Sequence, residues 1–244
     1  MVLDPGLLLT IDQGNSTTDC CLFAGEHARR RARVAGSPEA ILAWLAGEPV
    51  ACVVALSVRS ERLDVVRAVA ARLAVPLLLA GVDLPCPLRN AYHRPAELGV
   101  DRWVGAVAAW RRFGAALTID CGTAVTLNLV SADGVFCGGA ITSGFGTMAR
   151  GLAAAAPALA VDLETAPAES PARSTAAALR LGLRLGFVGM VERLAEELLA
   201  GAVAPTTVVV TGGEAPVFLA HTRRSCVVVP DLNHQGLRLL ASAR

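Results

Sequence analysis

The chain contains no lysine: all 22 of its basic residues are arginine. That absence excludes a phosphate loop ending in Gly-Lys-Ser/Thr and any lysine Schiff base. Nucleotide chemistry here must therefore hold phosphate with backbone amides, metal ions or arginine. Aromatic residues are scarce, 4% of 244, whereas apolar residues make up 54%. The core must then be assembled from Ala, Val and Leu. A chain of this length buries roughly 70% of the surface it exposes when unfolded, so no external staple is required. Neither charge sign dominates, and the net charge is +1. Nothing in that balance attracts nucleic acid or anionic lipid, and neither is expected as a partner. No apolar run reaches about 18 residues, so no membrane span is expected. The beginning of the sequence lacks the charged and apolar pattern of a signal peptide. The seven cysteines contain no CxxC pair, which points to free thiols in a reducing, cytoplasmic setting.

What the chain does have is an internal repeat. Residues 9–18 read LTIDQGNSTT and residues 117–126 read LTIDCGTAVT. Both carry Leu-Thr-Ile-Asp-x-Gly, and each Asp is followed at the same distance by a threonine, Thr18 or Thr126. Apolar alternation and turn residues predict strands over 7–12, 19–23 and 32–35, a helix over 38–45, a strand over 50–57, a helix over 61–73 and a strand over 76–80. A helix over 100–112 closes this half. The order then recurs, with strands over 115–121, 125–130 and 134–141 and helices over 147–156 and 175–199. A strand over 207–211, a short helix, a strand over 226–229 and a last helix complete it. Strands alternating with helices imply an α/β fold with covered sheets. Two such halves, divided near Phe113 or Gly114 into residues 1–114 and 115–244, make two similar lobes and a cleft, which is a favoured ligand site. The basic run Arg29, Arg30, Arg31 and Arg33 is expected as a solvated turn between two strands, the alternative being a phosphate-contact patch.

Each Asp-x-Gly places an acid at a strand end and a glycine where the backbone can turn sharply or approach a ligand. Amides exposed at such a turn can cradle phosphate oxygens. A carboxylate there can hold Mg²⁺, which usually keeps several waters and takes one or two carboxylates. Asp12 and Asp120 are thus expected to face one another across the cleft and grip a polyphosphate from both sides. A third turn, Gly212-Gly213 after the run 207–211, suits the close approach of an adenine ring. Asp101, at the start of the helix over 100–112, has a plain explanation in the preference for acids in a first helical turn. It also has a chemical one, accepting a proton from a substrate hydroxyl, with Arg102 beside it to pair with an anionic substrate.

Taken together these segments resemble type III pantothenate kinase, a member of the acetate and sugar kinase, Hsp70 and actin superfamily. Asp12-Gln13-Gly14-Asn15-Ser16 resembles the family's Asp-x-Gly-Asn-Thr/Ser phosphate turn, and Ser57-Val58 its Ser-Val motif. Tyr92, Pro95 and Leu98 to Arg102 resemble its most distinctive stretch, Tyr followed by Gly-x-Asp-Arg. Asp120-Cys121-Gly122-Thr123-Ala124-Val125-Thr126 is similar to Asp-x-Gly-Thr-Ala-x-Thr, and Gly138 to Ile141 and Pro230 to Leu232 resemble later segments. The resemblance implies two ribonuclease H-like lobes in an actin-like duplication with an interlobe cleft. It implies ATP-dependent phosphorylation of the primary hydroxyl of pantothenate to 4′-phosphopantothenate, the first step of coenzyme A synthesis. By position, Asp101 is the implied general base, and Asp12 and Asp120 the implied metal ligands. Gly14, Asn15, Ser16, Gly122, Thr123, Gly212 and Gly213 are implied to line the ATP site. Tyr92, Gly99, Val100 and Arg102 are implied to hold pantothenate, with Thr175 reaching it from the neighbouring subunit of a homodimer. Mg²⁺ and a monovalent cation, K⁺ or NH₄⁺, are the implied cofactors.

Three positions depart from the family pattern. Asn128 stands where Asp is common, which removes a charge near the cation region and implies an altered monovalent-ion dependence. Ser143-Gly144 replaces Pro-Gly, and Ser174-Thr175 replaces Asn-Thr. None touches Asp12, Asp101 or Asp120, so activity is expected. The competing expectation is a catalytically altered member acting as a regulatory or accessory protein.

Overall fold

A computed structural model describes residues 6–14, 17–57, 62–160, 162–164 and 168–243. The first sheet is built from β1 (Leu7–Gln13), β2 (Thr18–Ala24), β3 (His27–Val34), β4 (Val50–Ser57) and β5 (Leu77–Leu79). The second is built from β6 (Arg89–Asn90), β7 (Ala116–Cys121), β8 (Ala124–Val130), β9 (Val135–Ser143), β10 (Thr207–Thr211) and β11 (Val227–Val228). Their orders are β3-β2-β1-β4-β5 and β11-β10-β7-β8-β9-β6. In each, three strands run antiparallel and the remainder add in parallel to the first. The repeat read from the sequence is therefore a repeat of topology, with β6 added at one edge.

Seven helices cover these sheets among the described residues: α1 (Pro38–Leu45), α2 (Leu63–Leu73), α3 (Val100–Phe113), α4 (Phe145–Ala155), α5 (Thr175–Ala200), α6 (Ala215–Leu219) and α7 (Leu232–Ser242). Leu7, Leu9 and Ile11 of β1 point to one side and pack with Ile41 and Leu45 of α1 and Val66 and Val69 of α2. Leu8 points to the other, into a central cluster with Val104 and Val107 of α3 and Leu237 and Leu240 of α7. The second sheet copies this arrangement. Leu117, Ile119 and Cys121 face Phe187 and Val191 of α5 and Phe218 of α6, while Ala116 faces the central cluster. Both middle strands are buried on both sides, which is why they read as nearly unbroken apolar runs. Each fully buried Leu, Val or Phe contributes about 1.5–3 kcal/mol. Side chains alternate along a strand, so Thr10 and Asp12 share the inner face of β1, as Thr118 and Asp120 share that of β7. The repeated Thr-x-Asp thus aims both acids at the space between the sheets.

Local chemistry sets the helix ends. Ser37 accepts from the Ala40 amide at 3.3 Å with Pro38 at the first helical position of α1, and Ser174 accepts from the Ala177 amide at 3.2 Å to start α5. Both are side-chain N-caps. The helix α7 returns to the first sheet, packing on α3, β1 and β4. Its contact with α3 is close: a Cβ on Gly236 would lie 2.3 Å from the Val104 carbonyl oxygen.

Two expectations need correction. The arginine run is not a turn; Arg29, Arg30, Arg31 and Arg33 belong to β3, an edge strand whose charges face solvent and the cleft. Charged edges discourage sheet-to-sheet association, and this is the reason a strand there can read as a loop. The helix expected from residue 147 begins at Phe145.

Candidate active site

Asp12, Asp101 and Asp120 line one cavity of about 520 Å³ between the two sheets. That volume suits a nucleotide-sized or drug-sized ligand. Gly14, Gly122, Thr123, Gly212 and Gly213 form part of the same wall. Asp12 sits near the end of β1, and its Oδ2 accepts a hydrogen bond from Asn233 Nδ2 at 2.8 Å. Burial raises its carboxyl to about 7; Asp120, Asp101 and Asp19 push the same way, and the Asn233 bond opposes them. Asp120 is raised to about 6, by burial first and then by Asp101 and Asp19. Asp101 is raised too, mainly by burial, against the opposing influence of the Arg102 amide and charge. Three acids that resist ionisation in one space define a place that favours cations.

The glycine turns are used differently from the sequence expectation. The Gly14 amide donates to the Thr17 carbonyl at 3.0 Å, and the Gly122 amide to the Ala124 carbonyl at 3.1 Å. These two amides close their own turns, and neither glycine has a positive φ. The position that demands glycine is Gly212. Its φ is +95, and a Cβ there would lie 2.4 Å from the Cys121 carbonyl oxygen and 2.5 Å from Asp120 Oδ1. A side chain would collide with the very carboxylate that the second repeat delivers. Asn15, Ser16 and Val58 lie outside the described residues.

The remaining expected residues do not line this cavity. Arg102 is buried, 8% exposed. Its Nε donates to Asn128 Oδ1 at 2.7 Å and its Nη1 to the Tyr92 hydroxyl. The guanidinium lies over the Tyr92 and Phe136 rings, 5.6 and 5.7 Å from their centroids. Asn128 in turn donates to Thr118 Oγ1 at 3.1 Å. Among the described residues Arg102 Nη2 is buried without a partner. Gly99 precedes α3, and a Cβ there would lie 2.7 Å from Asp101 Oδ1, so this glycine leaves room for the acid. Val100 opens α3. Thr175 is exposed at the start of α5.

Sequence reasoning missed Asn233, Asp19 and Asp231, which also form the cavity wall. Pro230-Asp231 marks a helix start, but only the return of α7 to the first sheet brings Asn233 against Asp12. Among the described residues no three His, Cys, Asp or Glu side chains come close enough to hold a metal by themselves. This donor set fits Mg²⁺, which takes one or two carboxylates and completes its shell with water and phosphate. Asp12 and Asp120 are the residues that would hold it, and a bound Mg²⁺ would neutralise charge on the phosphates.

Two copies of one sheet topology around a shared helical layer, each delivering an acid to one cavity, define an actin-like ATPase fold. An archaeal actin homologue superposes with a TM-score of 0.54 at 12% identity, covering 98% of this chain and 100% of that one. A Campylobacter jejuni structure described as a conserved putative Baf family transcriptional activator superposes with a TM-score of 0.63 at 16% identity, covering 96% and 98%. Residues 8–197 match the family described as type III pantothenate kinase. The type III pantothenate kinase of Rubrobacter xylanophilus is 34% identical over 96% of this chain and 97% of its own length. The chain belongs to the type III pantothenate kinase family, and its activity is the phosphorylation of pantothenate in coenzyme A biosynthesis.

Proposed function

We propose that Asp101 is the general base of this kinase, taking the proton from the primary hydroxyl of pantothenate as that oxygen attacks the γ-phosphorus of ATP. The observation that carries this assignment is the meeting of Asp101 with Asp12 and Asp120 on one cavity. Phosphoryl transfer asks for alignment and neutralised charge rather than covalent help. A carboxyl raised by burial lies nearer the pH at which a base works best. Asp12 and Asp120 hold Mg²⁺ with ATP, and the turns at Gly14, Gly122, Thr123 and Gly212-Gly213 surround the nucleotide. Pantothenate takes Tyr92, Gly99, Val100 and Arg102. Support comes from Arg102 itself: its Nη2 is buried without a hydrogen-bond partner among the described residues, which is costly, and pantothenate brings a carboxylate that can accept from it. The test is a coupled assay with ATP, Mg²⁺, K⁺ and pantothenate on wild type and Asp101→Asn. Loss of turnover with both substrates still bound supports the assignment; undiminished turnover rejects it.

The finer arrangement follows the same reading. The lobes divide as 1–114 and 115–244, with α7 docked back on the first. A monovalent cation, K⁺ or NH₄⁺, works beside Asp120. Asn128 is committed to Arg102 and Thr118, so its neutral amide orients the arginine rather than supplying charge to the cation. The protein acts in the cytoplasm, which its seven free cysteines favour. It works as a homodimer. Thr175 is exposed and off its own cavity, and Leu185 on the same helix is 50% exposed, as expected of a face that meets a second copy.

A further inference from the structure

The cavity is rich in acid and poor in base. Asp12, Asp19, Asp101, Asp120 and Asp231 all line it, and a nucleoside triphosphate adds several negative charges more. Lysine is absent from the chain. The arginines among the lining residues are Arg31 and Arg33 of β3. His234, also in the wall, supplies no charge at neutral pH, since burial lowers it to about 4.

Strand register places these arginines with care. Asp12 of β1 lies opposite Asp19 of β2, and Asp19 lies opposite Arg33 of β3. The three side chains form one row across the sheet. Arg33 is thus two strand spacings from Asp12, roughly 10 Å, a span that a polyphosphate can cover. Alternation puts Arg31 on the same face. The Arg33 guanidinium also crosses the cleft: both Nη atoms lie 3.6 Å from where a Cβ on Gly213 would sit. It therefore joins the first sheet to the glycine turn of the second. Its partner in this structure is Asp19, with Nε to Oδ1 at 3.2 Å and Nη2 to Oδ2 at 3.2 Å. The Arg33 side chain is 57% exposed, and exposed pairs of this kind contribute little, so exchange of partner is easy.

We propose that Arg33, assisted by Arg31, is the fixed positive charge that receives the polyphosphate of the nucleotide, exchanging Asp19 for a phosphate oxygen when the nucleotide enters the cavity. The proposal rests on the reading of this cavity as the ATP site. It gives the basic run of β3 a task that, among the described residues lining the cavity, no other basic side chain is placed to take.

The test is titration of MgATP and of adenosine into the full chain by calorimetry, for wild type, Arg33→Ala, Arg33→Gln, Arg31→Ala with Arg33→Ala, and Asp19→Asn. Loss of a charge-assisted contact predicts MgATP affinity lower on the order of tenfold in each Arg33 variant, and lower still in the double variant, with adenosine unchanged. Asp19→Asn, which removes the competing carboxylate, binds MgATP more tightly, about threefold. A strut that merely braces Asp19 would make Asp19→Asn and Arg33→Ala fail alike, and that result overturns the proposal. So does unchanged MgATP affinity in the double variant, or an equal loss for adenosine in Arg33→Gln. Wild type that binds MgATP without phosphorylating pantothenate rejects the substrate reading alone, and the affinities still decide the role of Arg33. Wild type that binds no MgATP overturns both.

Discussion

At the scale of single residues, the same burial that raises the carboxyls of Asp12, Asp101 and Asp120 makes their ionisation a cost to the folded chain. Asp12 moves from 3.8 to about 7 on folding, and Asp120 from 3.8 to about 6. Between those values the folded chain holds protons that the unfolded chain has released, so stability falls as pH rises. With a chelator present, urea melts should show stability declining from about pH 4 to about pH 7. Asp12→Asn should flatten that decline and be the more stable protein at pH 8, by roughly 2 kcal/mol once the opening of the cavity to solvent is allowed for. A flat profile for wild type would mean the carboxylates ionise freely. Asp101→Asn tests chemistry instead. Removing a general base costs about 10²- to 10⁴-fold in kcat, and the dissociation constants of MgATP and pantothenate should stay within a few fold. Rate and affinity falling together would reassign Asp101 to binding.

At the scale of elements, the contact of α3 with α7 carries the site. Gly105 of α3 faces Asn233 of α7, whose Oδ1 lies 2.7 Å from where a Cβ on Gly105 would sit. One turn away Gly236 meets the Val104 carbonyl. Gly236→Ala should force the helices apart, costing about 1–3 kcal/mol in chemical denaturation. It should also weaken MgATP binding, because Asn233 moves off Asp12. Loss of stability with MgATP affinity intact would show that the Asn233 contact is idle. This contact also marks the limit of what the sequence made legible. The strands β1 and β7 are plain in it because middle strands buried on both faces leave unbroken apolar runs. Asp12 and Asp120 stand out because a repeat has two copies to compare. Asn233 has no such signature: its partner is 221 positions away, and only the packing of α7 on the first sheet joins them. β3 misleads for the opposite reason. An edge strand with four arginines between 29 and 33 satisfies the composition of a loop, while its hydrogen bonds to β2 satisfy the geometry of a strand. β6 is two residues long, too short for any periodicity to register.

At the scale of the whole molecule, Thr175 presents the sharpest question. It begins α5 and is exposed, away from the cavity that holds Asp101. On the proposed reading it serves pantothenate in a second copy of the chain. Leu185 lies further along the same helix at 50% exposure, and Ile141 of β9 is 61% exposed. Apolar surface of this kind is normal when scattered and informative when grouped on one face. In the proposed homodimer, Leu185→Asp should shift the protein to a monomer in analytical ultracentrifugation and raise the pantothenate KM more than the ATP KM. Thr175→Ala should raise the pantothenate KM about tenfold, as for one lost polar contact. The decisive measurement mixes two damaged chains. A subunit carrying Asp101→Asn keeps its Thr175, and one carrying Thr175→Ala keeps its Asp101. Co-expressed, the proposed homodimer would include mixed dimers in which one site has an intact Asp101 from the second chain and an intact Thr175 from the first. Turnover at limiting pantothenate should then exceed the weighted mean of the two parents. Activity equal to that mean would place Thr175 in service of its own subunit, or of none.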